Sequence, residues 1–197
     1  MDEVDIIKQA QTGNLSAFNQ LVMAYQGTAY NVAYRVIGNR DAAADATQDA
    51  FLKAYKAIKQ YQGGSFRSWL LRIVTNTCYD QLRYKSRRPT TSLEDLTENP
   101  DDHSDRLISQ TERPEERVLR RELNQLIQIG IDTLPDDQRL VLVLSDVQGF
   151  SYQEIAEIID QPLGTVKSRL SRGRRRLRDF LWTQQELLPN QFRLNDE

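Results

Sequence analysis

The chain has one cysteine, Cys78, and one histidine, His103, in 197 residues. A single cysteine allows no internal disulfide, and the pair is too small a set for a zinc site built from His and Cys. A Ser-His or Cys-His nucleophilic pair would have to use His103, which lies in an acidic stretch without regular period. Long apolar runs are missing as well. Leu140 to Leu144 falls far short of the roughly 20 residues that a membrane span needs. The opening residues, MDEVDIIKQA, are acidic and lack a basic n-region with an apolar core, so no signal peptide and a cytoplasmic location are expected. Only Leu140 to Leu144 looks like a buried strand. With no second strand to pair with, it is expected to be helical.

What remains is a helical composition, with 39% hydrophobic and 27% charged residues. The net charge of −2 conceals segregation. Residues 1–88 carry twelve Lys or Arg against seven Asp or Glu, residues 89–137 five against thirteen, and residues 138–197 nine against eight. Two basic regions separated by an acidic one point to two nucleic-acid contacts on one chain.

The most informative stretch is Gln148 to Arg178. Ser151 and Glu154 have capping-box spacing at a helix start. Ile155, Ala156 and Ile159 share a face. Asp160 stands at a turn and tolerates left-handed backbone. Pro162 suits the first turn of the next helix. Val166 and Leu170 repeat at i, i+4, Gly173 permits a close approach, and Leu177 continues the stripe. From Lys167 to Arg178, seven of twelve residues are basic and none is acidic. Two short helices with a basic second one match a helix-turn-helix, whose second helix enters the major groove. The plain alternative is a helical hairpin with a solvated basic face.

Upstream, residues 2–11 read as a helix with Val4, Ile7 and Ala10 inward. Ser16 is placed to cap the next helix, which Gly38 ends. Asp41 to Gln60 reads as an Ala-rich third helix carrying Phe51, Leu52, Tyr55 and Ile58. Its other face shows Asp41, Asp45 and Asp49 with Gln48 alongside. These acids are open to three readings: a solvated face, an acidic docking face, or Mg²⁺ ligands of a helical phosphohydrolase. Tyr61 to Ser65 is a loop containing Gly63 and Gly64. In the helix after it, Phe66, Trp69, Leu70, Ile73, Val74, Thr77, Cys78 and Leu82 take one side. Arg67, Arg72, Asn76, Tyr79 and Arg83 take others, and Lys85, Arg87 and Arg88 follow. Cations interleaved with aromatics beside a Gly-rich loop are the ingredients of a single-strand site, although core packing is the main use expected of Trp69. Cys78, on the apolar side, reads as inert packing rather than a redox sensor.

Residues 89–113, rich in Pro, Ser, Thr and acids, are expected to form a flexible acidic linker. A helix opens at Pro114 with a stripe of Leu119, Leu123, Leu126 and Ile127. Phe180, Leu181 and Trp182 are placed to cap the last domain, and residues 185–197 are a tail. The expected fold is all-α: two small helical domains, 1–88 and 114–184, joined by the linker, the second containing the helix-turn-helix.

Four stretches, in order, resemble the bacterial RNA polymerase sigma factors of the extracytoplasmic-function group, within the sigma-70 family. They are Asp45-Ala46-Thr47-Gln48-Asp49-Ala50-Phe51; Phe66 to Ile73 with Asn76 and Asp80; Arg87-Arg88-Pro89; and Leu134-Pro135 with Arg139, followed by Ser151 to Ala156 and Gly164 to Arg169. Together they span most of residues 5–180. Ala44 departs from the Glu the family often has there, which shifts the weight of docking to Asp45, Gln48 and Asp49.

The resemblance implies a transcription initiation factor that is not an enzyme and needs no cofactor. Its first domain would bind the clamp of core polymerase through Asp45, Gln48, Asp49, Phe51, Leu52 and Tyr55. The same domain would hold the melted −10 strand with Gly63, Gly64, Ser65, Phe66, Arg67, Trp69, Arg72, Asn76, Tyr79, Arg83, Lys85, Arg87 and Arg88. Its second domain would contact the polymerase flap and read −35 duplex. There Ser151, Tyr152, Pro162, Gly164, Thr165, Lys167, Ser168, Arg169 and Arg172 would lie at the groove, and Arg174, Arg175 and Arg176 would hold phosphates or polymerase. The resemblance also implies an anti-sigma partner. Two competitors stand beside it: a stand-alone helix-turn-helix regulator, which leaves the N-terminal motifs unexplained, and the metal-dependent phosphohydrolase.

Overall fold

The computed structural model describes residues 2–87 and 114–184. Arg88, the linker 89–113 and the tail 185–197 lie outside the described residues. The elements are α1 (Glu3–Gln11), α2 (Leu15–Ile37), α3 (Arg40–Ala57) with a 3-10 turn at Ile58–Gln60, and α4 (Phe66–Arg87). After the linker come α5 (Pro114–Asp132), α6 (Asp136–Leu142), α7 (Tyr152–Ile159) and α8 (Leu163–Thr183). Among the described residues there is no strand, as expected for an all-α chain. Leu140 to Leu144 is helical, running from α6 into a wider π-type turn over Val143–Val147.

In the N-terminal module, α2, α3 and α4 pack on one another and α1 lies along α2. The side of α3 turned to its neighbours is almost all alanine: Ala43, Ala46, Ala50 and Ala54 are fully buried. Small side chains let the helices approach closely, so the larger residues of α3 are left outside. Leu52 is 53% exposed and Tyr55 40%. The edge of the Tyr55 ring still meets Phe18, with 4.9 Å between centroids. Two local expectations fail. Val4 points outward; Ile7 and Ala10 are the buried residues of α1, with Ile6 partly buried against the core. The cap of α2 is Asn14, whose Oδ1 accepts from the Ala17 N–H at 3.1 Å, instead of Ser16. Asn and Ser cap equally well, and the backbone leaves the helix one turn boundary earlier than the apolar period indicates.

In the C-terminal module, α6 and α8 form the main contact, with α7 and α5 on the flanks of α8. The expected stripe of α8 holds: Val166, Leu170 and Gly173 are buried and Leu177 half-buried. A Cβ on Gly173 would stand 3.4 Å from the Gln138 carbonyl oxygen, an ordinary contact, so α6 and α8 approach closely without requiring glycine there. Gly130 is tighter, since a Cβ there would meet Leu177 and Phe180 at 2.7 Å. The stripe of α5 is shifted from expectation. Leu126 and Ile131 are buried, while Leu119 is 41% exposed.

The two modules touch. One cluster of buried apolar side chains includes residues of both, and α4 packs against α7 while α2 meets α5, α6 and the π-type turn.

Candidate nucleic-acid interface

The helix-turn-helix is assembled by devices lying close together in the chain. Ser151 Oγ accepts from the Glu154 N–H at 3.3 Å, and Glu154 Oε2 accepts from the Ser151 N–H at 2.8 Å. The Ser151 N–H foremost, then Ser151 Oγ donating to Glu154 Oε2 at 2.8 Å, hold the Glu154 carboxyl below its usual range. Asp160 ends α7 in the left-handed region at φ 53°, ψ 53°. Pro162 then occupies the cap of α8 rather than its first turn, a shift of one residue.

Around α8, Ser168, Arg172 and Arg175 follow one another at i, i+4, i+7, opposite the buried stripe, and all are exposed. Gly164 is exposed and Thr165 half-buried at the start of the helix. Lys167, Arg172 and Arg176 are exposed and make no ion pair or side-chain hydrogen bond with the described residues. Four arginines of α8 are engaged within the module: Arg175 and Arg178 reach Asp179 at 3.9 and 3.3 Å, and Arg169 and Arg174 are held more closely. Arg169 Nε meets Asp137 Oδ2 at 3.0 Å. Arg174 grips Asp146 with two bonds, Nη2 to Oδ1 at 2.6 Å and Nε to Oδ2 at 2.9 Å, and also donates to Tyr152 Oη and Ser145 Oγ at 3.3 Å. Burial alone would raise the Asp146 carboxyl. The hydrogen bonds from Arg174 and Ser145 outweigh it, and the group sits below its usual range.

The N-terminal surface is built by contacts distant in sequence. Gly63 and Gly64 both have positive φ, 105° and 90°, with open space around them, so glycine serves the backbone turn and not packing. Tyr61 Oη donates to the Gly64 carbonyl at 2.7 Å, and Gln11 Nε2 donates to the carbonyls of Ile58 and Tyr61 at 3.2 and 2.8 Å. Ser65 caps α4 by accepting from the Ser68 N–H at 3.2 Å. Behind the loop, Trp69 is half-buried with its ring 5.4 Å from both Tyr61 and Phe66, and Tyr25 closes the cluster at 5.5 Å from Phe66. Desolvation, then a hydrogen bond donated to Glu3, pushes the Tyr25 hydroxyl up to about 12.

Along α4, Arg72, Asn76, Tyr79 and Arg83 share a face, with Asn76 exposed and Tyr79 half-buried. Arg67 points elsewhere, to Gln148 of the other module. Leu71 and Thr75, off the expected apolar side, are also buried at 1% each; α4 is packed by α2, α3 and α7. The backbone of α4 includes Lys85 and Arg87, whose side chains, like Arg88, lie outside the described residues. Cys78 is fully buried, and desolvation pushes its thiol up to about 12, which starves it of reactive thiolate.

On α3, Asp45, Gln48, Asp49, Leu52 and Tyr55 are exposed together and Phe51 is half-buried. Gln11 and the interdomain Arg139 are the structural residues whose positions no local pattern indicates.

Two family models match the chain, sigma-70 region 2 over residues 21–88 and sigma-70 region 4 over residues 124–177. The ECF RNA polymerase sigma-E factor of Escherichia coli (strain K12) is 38% identical over 170 residues, covering 86% of this chain and 88% of that protein. Among solved structures, the sigma factor RpoE of Bartonella quintana, in complex with the anti-sigma factor NepR, superposes with TM-score 0.65 at 27% identity. It covers 85% of this chain and 98% of that one. CnrH in complex with the cytosolic domain of CnrY gives TM-score 0.63 at 27% identity, covering 91% and 96%. The fold and the two matched regions define a sigma-70 type initiation factor. Within that class, the chain belongs to the ECF sigma factors. It is a sigma factor that directs RNA polymerase to promoters.

Proposed function

We propose that α8 reads the −35 element in the major groove while the N-terminal module holds the melted −10 strand. The outward face of α8 carries this reading. Ser168, Arg172 and Arg175 stand opposite the buried Val166–Leu170–Gly173 stripe, with Lys167 and Arg176 unpaired on its flanks. Arginine on such a face gives bidentate contact to guanine edges, and the flanking cations neutralise phosphates. In the first module, the rigid Gly63–Gly64 turn, the Trp69 ring and the exposed Asn76 supply stacking and hydrogen bonds for unstacked bases. The exposed face of α3, from Asp45 to Tyr55, docks on core polymerase, and an anti-sigma protein is a further partner. The chain acts in the cytoplasm and leaves nucleotidyl transfer to the polymerase.

Arg172→Ala is expected to weaken holoenzyme binding to a −35 duplex by about 1–3 kcal/mol and to relax preference at one base position. Wild-type affinity with an unchanged salt slope would refute the recognition-helix reading.

A further inference from the structure

The loop proposed above to hold the melted strand is fixed from a helix that carries none of the proposed DNA contacts. α1 ends at Gln11. The Gln11 side chain donates from Nε2 to the Tyr61 carbonyl at 2.8 Å and to the Ile58 carbonyl at 3.2 Å. Both acceptors belong to the 3-10 turn and its cap, where the chain leaves α3 and the last carbonyls have no partner further along the helix. The Ile58 carbonyl also takes the Tyr61 N–H at 3.1 Å. One amide, 47 and 50 positions away in sequence, thus fixes the point from which the loop departs.

Tyr61 passes that placement on. Its Oη donates to the Gly64 carbonyl at 2.7 Å, bridging the loop from its first residue to its turn. Its ring meets Phe66 and Trp69 edge-on, with centroids 5.7 and 5.4 Å away, so the hydroxyl is aimed by the aromatic cluster behind the loop. Desolvation, then the charge of Glu3, pushes that hydroxyl above the usual tyrosine value, and it stays a donor at neutral pH. Glu3 also accepts from Tyr25 Oη, and the Tyr25 ring lies 5.5 Å from Phe66. The first and last residues of α1 therefore brace one aromatic cluster and the loop in front of it.

The loop has little rigidity of its own. Gln62, Gly63, Gly64 and Ser65 are all exposed, and a Cβ on either glycine would meet nothing within 4 Å. Both glycines sit at positive φ, where glycine is unstrained but also has the most backbone freedom to lose. A loop ordered only by the arriving strand sets that entropy against binding. A loop ordered beforehand by the protein does not. The chain of bonds from Gln11 through Tyr61 to Gly64 supplies that order.

We propose that Gln11 and Tyr61 are positioning residues for strand capture, acting through the Gly63–Gly64 turn. This role rests on the reading of that loop as a single-strand site. It gives α1 a part in promoter opening separate from the polymerase face of α3 and the recognition face of α8. It also names the property at stake. Specificity is a difference between affinities. A turn held in one place meets the right base and excludes the wrong ones, whereas a loose turn adapts to several. Loss of the chain of bonds lowers discrimination at the −10 strand together with affinity.

The test uses the full chain bound to core polymerase and two DNA probes: a fork-junction library randomised in its −10 strand and a duplex library randomised at −35. Gln11→Ala removes both bonds to the backbone, and Tyr61→Phe keeps the ring but removes the donor to Gly64. Each is expected to weaken binding of the −10 strand that the wild type selects by about fivefold, the worth of one net hydrogen bond. The preference for that strand over its single-base variants should fall by a similar factor. Duplex selection at −35 and binding to core polymerase should stay at wild-type values. Gln11→Lys, which restores a donor within reach of the same carbonyls, is expected to recover most of the preference. Gln11→Ala and Tyr61→Phe with wild-type −10 preference overturn the positioning role, as does an equal loss at −10 and −35, which marks general destabilisation. Gly63→Val with Gly64→Val strains the turn itself and separates the two readings. If that variant alone loses the −10 strand, the loop reading stands and the positioning role fails. If it too keeps wild-type −10 binding, both fail.

Discussion

The two candidate DNA surfaces are made in opposite ways. The helix-turn-helix is completed by partners close in the chain or within its own module: Ser151 with Glu154, the left-handed Asp160, Arg174 with Asp146. The N-terminal surface depends on partners far away, Gln11 for its loop and Gln148 and Phe150 for Arg67. A surface built locally is in place whenever its helices are folded. A surface whose arginine is held by another module depends on how that module sits. The helix-turn-helix surface is therefore preassembled, and the N-terminal surface is conditional on the contact between modules.

The strongest challenge to preassembly is a core truncation. Leu170 is 2% exposed in the middle of the α8 stripe. Leu170→Ala is expected to destabilise the C-terminal module by about 2–5 kcal/mol, the range for leucine cavities. If the module is the self-contained unit described, a denaturation profile of the full chain should show that module melting earlier with the N-terminal transition shifted less. Equal shifts of both transitions would show that the contact between modules couples them into one cooperative unit.

A smaller pair contrasts the local and distant devices directly. Ser151→Ala removes the cap of α7 and is expected to cost about 0.5–2 kcal/mol. Part of that effect is pH-dependent. The Glu154 carboxyl is held below the usual glutamate range by its bonds to Ser151, so its contribution is present at and above that range and is lost as pH falls through the lower folded value. The stability gap between the wild type and Ser151→Ala should narrow in acid. Gln11→Ala removes two bonds that pin the loop and is expected to cost about 1 kcal/mol. Its larger signature is raised hydrogen exchange at Tyr61 to Ser65, with α8 unaffected.

The same division explains what the sequence makes legible. The capping box, the turn at Asp160 and the α8 stripe are readable because each rests on residues within a few positions of one another. The all-helical class follows from periodicity and from the lack of a partner for Leu140–Leu144. The errors fall where a second body intervenes. A periodicity reading assigns α4 one buried side, but α4 is packed by α2, α3 and α7, and Leu71 and Thr75 are buried as well. On α3 the alanines take the packed positions and Leu52 and Tyr55 face out, which suits the docking role that the resemblance implies for them. Arg139 forms part of a legible motif, yet its bond to Val36 spans 103 positions, and no local pattern carries that information.

The finest discrimination concerns Arg174, where the sequence pattern expects a phosphate or polymerase contact. Its guanidinium is instead spent on Asp146, in a two-bond geometry with side chains 48% and 34% exposed. Two roles make different predictions. A phosphate contact requires the pair to break on binding, and Arg174→Ala would then reduce the salt slope of duplex binding by about one. A brace keeps the pair intact, holding α8 against the π-type turn at the angle that presents Arg172. The intramolecular geometry favours the brace, because releasing a bidentate carboxylate to reach a phosphate exchanges one anion for another with little gain. We expect Arg174→Ala and Asp146→Asn to weaken −35 binding to similar, small extents, each costing under about 1 kcal/mol of stability as partly exposed pairs do. The salt slope should remain that of the wild type in both. A slope reduced only in Arg174→Ala, with Asp146→Asn binding more tightly than the wild type, would make Asp146 a competitor for the cation, and the −35 surface would then be conditional as well.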